Sequence, residues 1–397
     1  MAAVARIRQV RVRNYKSIAD VVVDLEPLTV FVGANGSGKS NFTDVLAFVR
    51  DCLTHSVEFA FKNRAGIQAV RRRSSGRPPH IAIGLWLDLE DGIQASYEFE
   101  IGDEPGGGFR VSREQCEVGR FLEPKSVFET KNGVFVRDVP GIRSQLSANR
   151  LALVSVSAVD EFAKVFDFLT SMRFYSIVPQ RLRSFQEAGS EDSLAYDGSN
   201  APAVLRRLQK EDPEVYERVC RILAQAVEGI ISVSSRSVGS METLQFLQDI
   251  GQSKPGRFDA QNMSDGTLRI LGLLLAIYQS SYASMVGIEE PESTVHPAVA
   301  ELLLEVLLDA THERQILVTT HSPDILDSKQ LDADQIRVVR MKQGMTQIGR
   351  MSEADRETVR HHLYTPGELL RINELTPDPM DTERGWEQAG LFEPAGT

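Results

Sequence analysis

Cysteine is scarce in this chain of 397 residues. The three present, Cys52, Cys116 and Cys220, lie far apart, a spacing that suits neither a zinc site nor a disulfide framework and fits a reducing cytosol. No apolar run follows Arg6, Arg8, Arg11 and Arg13, so the start does not read as a secretory signal. Long uncharged runs are nearly absent too. The exception, Ile270–Ile288, spans 19 residues, close to membrane-spanning length. Gln279, Ser280, Ser281, Tyr282 and Ser284 interrupt it, so it reads as a buried helix, a turn and a buried strand, and no membrane partner is expected. Positive charge is also in deficit: a net charge of −11 excludes a uniformly basic nucleic-acid binder. One segment runs the other way. Between Glu58 and Asp88 there is no acidic residue, while Lys62, Arg64, Arg71, Arg72, Arg73 and Arg77 are present. That segment can meet phosphates or, the favoured reading, form a solvated loop turning at Ser74-Ser75-Gly76. The chain shows no fixed-period repeat, low-complexity tract or sustained heptad pattern.

Hydrophobic residues make up 42 % of the sequence, enough for a large core. Residues 6–32 read as two strands around a turn near Asp24-Leu25-Glu26-Pro27. Residues 81–101 alternate in polarity and split at Asp91-Gly92, a hairpin signal. Pro105-Gly106-Gly107-Gly108 reads as a loop, and 109–136 as short strands turning at Asn132-Gly133. Residues 159–172 and 201–230 are expected to be helical, with a polar loop over 184–200. An apolar helix over 264–279, a strand over 285–289, a helix over 297–312, a strand over 315–320 and a hairpin over 335–350 follow. The tail from Thr365 is acidic and punctuated by proline.

The strongest local signal is Gly33-Ala34-Asn35-Gly36-Ser37-Gly38-Lys39-Ser40, with Asn41 next. It matches the phosphate-loop pattern at every fixed position. A buried-strand run, Leu28–Val32, precedes it, and apolar residues at helical spacing follow. Gly33, Gly36 and Gly38 let backbone N–H groups close around a polyphosphate, and the positive helix end faces the anion. Lys39 reaches the terminal phosphates and Ser40 can ligate Mg²⁺, so ATP and Mg²⁺ are the expected cofactors.

A second apolar run, Met285–Ile288, ends in Glu289-Glu290-Pro291-Glu292. A phosphate-loop fold needs a carboxylate beside the Mg²⁺ shell, and Glu289 fits; Glu290, pointing the other way along the strand, can act as general base. Because Glu289 lies 249 residues beyond Ser40, the two ends of the chain must build one sheet. Asn262–Thr267 introduces the apolar helix; Ser264 or Asp265 can cap it, and the loop can also receive an anion. The run Ile316–Thr320 ends in His321, which falls on a neighbouring parallel strand at the same edge.

These elements together resemble the ABC-type ATPase superfamily, most closely its RecF, SMC and OLD branch of AAA-like ATPases. Ile7–Ile18 is similar to the branch's first strand, Gly33–Ser40 to Walker A and Ile288–Glu292 to Walker B. Ser264-Asp265-Gly266 resembles the signature motif, Ser293–Pro297 the D-loop and Thr320-His321-Ser322 the switch histidine. The resemblance implies an α/β P-loop NTPase: an ABC-type head with a mixed sheet, an antiparallel β subdomain and a helical lateral lobe. The core is expected over 1–58 and 260–350, the β subdomain over 59–145, the helical insertion over 146–259, and the tail over 365–397. It also implies a homodimer sandwiching ATP, in which Ser264 and Gly266 of one copy contact the γ-phosphate held by the other. Gln180 is the resemblance's candidate Q-loop ligand of the metal. The implied function is a soluble cytoplasmic ATPase switch acting on DNA, or on a partner effector or nuclease, in repair or phage defence. A scaffold with little turnover and a transporter motor subunit are the alternatives. Lys39→Ala is expected to abolish ATP binding or turnover; unchanged steady-state hydrolysis would remove the phosphate-loop reading.

Overall fold

A computed structural model describes residues 4–73, 80–104, 108–137, 139, 141, 145–189, 193–293 and 295–385. The expected turn at Ser74-Ser75-Gly76, Arg77, most of the loop at Pro105–Gly107, Thr294 and the end of the tail lie outside these residues.

Three strands open the chain, β1 (Arg6–Tyr15), β2 (Ile18–Asp24) and β3 (Leu28–Val32), where the sequence led us to expect two. The additional turn carries no glycine or proline to mark it. Asn14 and Lys16 make it by taking φ of 59° and 47°. Strands β4 (Ile81–Asp88), β5 (Ile93–Glu104), β6 (Gly108–Arg120), β7 (Ser126–Lys131) and β8 (Val134–Arg137) then run antiparallel. Two of their turns fall at Asp91-Gly92 and Asn132-Gly133, and all four of those residues have positive φ. With β1 and β2 they form a seven-stranded sheet in the order β2-β1-β4-β5-β6-β7-β8.

A helix over Asp160–Thr170 leads to β9 (Arg173–Tyr175), a short helix over Pro179–Arg183 and β10 (Gln186–Glu187). The helical stretch from 201 is two helices, Ala201–Glu211 and Pro213–Ala226. Pro213 has no N–H to continue the first, and the Asp212 side chain caps the second by accepting from the Val215 amide. The lateral lobe then departs from the helical expectation, since β11 (Ile230–Val238), β12 (Met241–Gln248) and β13 (Gly256–Asp259) join β10 in a second sheet. Ile230, Val233, Leu244 and Phe246 are its buried apolar positions, but Glu242 and Thr243 are buried beside them, and these with the serines of β11 obscure the alternation in the sequence.

The apolar helix Asp265–Tyr278 precedes β14 (Met285–Glu289), the helix Pro297–Ala310, β15 (Gln315–Thr320), β16 (Ile336–Lys342) and β17 (Met345–Gly349). These strands return to β3 and build a six-stranded sheet in the order β17-β16-β3-β15-β14-β9. Strands β16, β3, β15, β14 and β9 run parallel, so their carboxyl ends share one edge. Leu28, Val30 and Val32 of β3 enter the core shared with the lateral lobe and the helix Asp265–Tyr278, while Phe31 enters the core shared with the seven-stranded sheet. Among the described residues no helix is long and apolar enough to cross a membrane.

The helix Lys39–Thr54 that follows the phosphate loop is anchored by charge as well as by its apolar face. Asp44 Oδ2 accepts from Tyr15 Oη at 2.7 Å and Lys16 Nζ at 2.5 Å, and Asp44 Oδ1 accepts from Arg64 Nε at 2.8 Å. Arg64 also reaches Asp51 at 2.9 Å. Burial by itself would raise the Asp44 pKa, but Arg64 and Lys16 outweigh it and hold the carboxyl below its ordinary value. A depressed carboxyl stabilises the fold above its unfolded pKa, and that contribution is lost as the pH falls through the folded value. Asp44→Ala is expected to cost about 2 kcal/mol in urea unfolding at pH 7, below the range for a fully buried pair because the carboxylate is 22 % exposed. The cost should shrink in acid; one that grows as the pH falls would contradict the assigned sign.

Candidate functional site

The end of β3 sets the site. All five residues of β3 are buried, so the loop that follows starts from a fixed point. Gly36 and Gly38 take φ of 77° and 108°, which side chains resist. Space is the second constraint. A Cβ on Gly33 would lie 2.1 Å from the Val339 carbonyl oxygen, and one on Gly38 would lie 2.1 Å from Thr346 Oγ1. A hydrogen-bond chain fixes the loop from outside: Asn41 Nδ2 donates to Ser17 Oγ at 2.7 Å, Ser17 meets Thr346 Oγ1 at 2.6 Å, and Thr346 donates to the Ser37 carbonyl at 3.1 Å. Lys39 is 6 % exposed and folds back over the loop, donating to the carbonyls of Gly33 at 2.7 Å and Ala34 at 3.1 Å. Burial lowers its pKa, and the charges of Glu290, Glu292 and Glu289 oppose that shift. The Ser37 hydroxyl is buried and lacks a hydrogen-bond partner among the described residues. A cradle of backbone amides with an orphaned donor and a folded-back lysine fits a polyphosphate.

The acidic strand end stands one strand away, because β15 lies between β3 and β14. Glu289 Oε1 is 3.5 Å from Thr43 Oγ1, which in turn donates to the Ser40 carbonyl at 3.2 Å. This places Glu289 on the Ser40 side of the loop. Hydroxyl and carboxylate oxygens are the donors that suit Mg²⁺, which usually completes its shell with water and substrate phosphate. Accordingly, no cluster of three or more His, Cys, Asp or Glu able to hold a metal occurs among the described residues.

Glu290 adopts a left-handed backbone, with φ of 45°. Its amide donates to the Thr319 carbonyl at 2.8 Å, and its carbonyl accepts from the Ser293 amide at 3.1 Å and Arg269 Nη1 at 3.3 Å. Its carboxylate meets His321 Nδ1 at 3.1 Å and accepts from Ser293 Oγ at 3.1 Å. Strands β14 and β15 are paired in register, with Glu289 opposite Thr319, and this register brings His321 to Glu290. Glu292 has a part the sequence did not reveal. It accepts from Thr320 Oγ1 at 2.5 Å and so pins the end of β15 next to His321. Burial raises its pKa.

The remaining candidates lie elsewhere. Ser264 caps the helix Asp265–Tyr278, with Oγ accepting from the Thr267 amide at 3.1 Å. Among the described residues, neither Ser264 nor Gly266 hydrogen-bonds the phosphate loop, Glu289, Glu290 or His321 of its own chain. Gln180 is exposed, and its amide oxygen accepts from Arg183 Nη1 at 2.9 Å. Arg183 is held by the Met263 carbonyl at 2.9 Å and Asp265 at 2.5 Å, so Gln180 lies beside the Asn262–Thr267 loop. Tyr196 instead meets Glu289, with its hydroxyl 3.3 Å from Oε2. Burial, followed by the charge of Glu289, pushes the Tyr196 hydroxyl up to about 12, which keeps it a donor at neutral pH. A tyrosine in a polar loop gives no sequence signal for this contact. Two cations of the basic segment are held internally: Arg64 is bound to Asp44 and Asp51, and Arg71 to Asp103 and Gln68. Arg73 and Lys62 remain exposed, and Arg72 half-buried.

Solved structures with this fold include the SMC head bound to the C-winged helix domain of ScpA, at 15 % identity and a TM-score of 0.52, over 88 % of this chain and 99 % of that one. Another is the Pyrococcus furiosus SMC head domain with an extended coiled coil bound to the C-terminal domain of ScpA, at 12 % identity and a TM-score of 0.56, over 90 % and 99 %. At such identities the likeness is one of fold, that of a P-loop ATPase head. A family model matches residues 28–327, from the phosphate-loop strand to just beyond His321. The chain therefore belongs to the family described as "AAA domain, putative AbiEii toxin, Type IV TA system".

Proposed function

We propose that the protein is an ATP-hydrolysing switch whose two copies close around ATP and release after hydrolysis. The observation that carries this reading is the convergence of Lys39, Glu289, Glu290 and His321 at one sheet edge, delivered by three parallel strands. Phosphates would be received by the backbone of Gly33–Ser40 and by Asn41, with Lys39 leaving the Gly33 and Ala34 carbonyls to meet them. Ser40 and Glu289 would hold Mg²⁺, which when bound neutralises charge developing on the phosphates. Glu290 takes the proton of the attacking water, and His321 and Ser293 aim its carboxylate.

The dimer reading rests on Ser264 and Gly266, which have no hydrogen bond to their own chain's phosphate loop and border an exposed surface. The output we favour is a partner effector. The solved SMC heads are bound to a domain of a partner protein, whereas among the described residues of the basic segment a DNA contact would rest on Lys62, Arg72 and Arg73. A reducing cytosol suits the three free, buried cysteines.

Glu290→Gln is expected to lower the hydrolysis rate by roughly 10²-fold or more while ATP binding persists. Unchanged hydrolysis in a protein that binds ATP would remove the catalytic assignment and favour a scaffold. With ATP and Mg²⁺, that same variant should roughly double in mass by light scattering, from 44.1 kDa; a persistent monomer would count against the sandwich.

A further inference from the structure

Resting on the nucleotide reading above, we propose that Tyr196 is the positioning residue of the Glu289 carboxylate, on the side of the site where the family resemblance had placed Gln180 as a metal ligand. The hydroxyl of Tyr196 lies 3.3 Å from Glu289 Oε2, leaving Oε1 on the Thr43 and Ser40 side. The loop that carries it is built to stay there. The Ser176 amide donates to the Tyr196 carbonyl at 2.9 Å, and the Val178 amide to the Asp197 carbonyl at 3.0 Å. These bonds tie the loop to the exit of β9, the strand paired with the Glu289 strand β14. Asn200 closes the loop on itself, accepting from the Ala195 amide at 2.7 Å and donating to the Ser193 carbonyl at 2.8 Å. Gln279 secures its start by accepting from the Leu194 amide at 2.7 Å. Tyr196 is 56 % exposed, yet its hydroxyl is turned inward to the carboxylate.

The chemistry of the donor matters. A lysine or arginine at this position would neutralise Glu289 and compete with a divalent cation. A neutral hydroxyl orients one oxygen and leaves the carboxylate charge available. Gln180 cannot do this from its observed place, because its amide is engaged by Arg183 beside Asp265. The loop joins the helices at Pro179–Arg183 and Ala201–Glu211, so Tyr196 also connects the lateral lobe to the metal side of the site.

The test is binding of Mn²⁺ with ATP, followed by the electron paramagnetic resonance of free Mn²⁺, alongside ATP binding in EDTA. Tyr196→Phe should fold normally, bind ATP in EDTA like the parent, and need roughly tenfold more Mn²⁺ for half-saturation. Gln180→Ala should shift the Mn²⁺ requirement far less. An unshifted Mn²⁺ requirement in Tyr196→Phe, or a larger shift in Gln180→Ala, would overturn the assignment while leaving the nucleotide reading intact. A parent protein that binds no ATP would overturn both. If Tyr196→Phe failed to fold, Tyr196→Trp would serve, since it keeps an aromatic ring and loses the hydroxyl; a Mn²⁺ requirement equal to the parent's would again refute the role.

Discussion

Burial of β3 on both faces is the constraint on which the rest of the molecule depends. Leu28, Val30 and Val32 point into one core and Phe31 into the other, so the strand cannot shift register without exposing both sets. Its end is therefore a fixed origin for the phosphate loop. Strand β15 is paired to β3 with Thr319 opposite Phe31, and β14 to β15 with Glu289 opposite Thr319. Loop, carboxylates and histidine are thus placed by register, and side-chain packing serves to preserve it.

Most charged groups of the site rest on partners of the same chain, although Glu292 Oε2 is buried without one among the described residues. Lys39 rests on two loop carbonyls, Glu290 on His321 and Ser293, and Glu292 on Thr320. Glu290 alone has a costly backbone. A left-handed non-glycine residue stores about 1–3 kcal/mol, and here it is over-determined by bonds to Thr319, Ser293 and Arg269. Arg269 lies on the helix that Ser264 caps, so the loop expected to meet a second copy and the backbone of the proposed base share one rigid element.

The lateral lobe reaches the acidic strand end through the Tyr196 loop, and Arg269 of the core helix Asp265–Tyr278 reaches it separately.

The phosphate loop, the carboxylates after β14 and His321 after β15 were legible in the sequence, because their demands are local. Glycines at positive φ, an apolar run ending in acid and a helix start beside a lysine each announce themselves within a few residues. The β4–β8 meander was legible for the same reason, through Asp91-Gly92 and Asn132-Gly133. The turn at Asn14 and Lys16 was not, since Asn14, though a turn-former, has no glycine or proline beside it, and β11–β13 were hidden by the serines of β11 and the buried Glu242 of β12. Polar pairings were decided by tertiary structure alone. It set Arg64 and Arg71 against carboxylates instead of solvent, Gln180 beside Asp265, and Tyr196 against Glu289. A hydrogen bond needs two groups within about 3 Å, and chain separations of 93 residues, as between Tyr196 and Glu289, leave that distance to the fold.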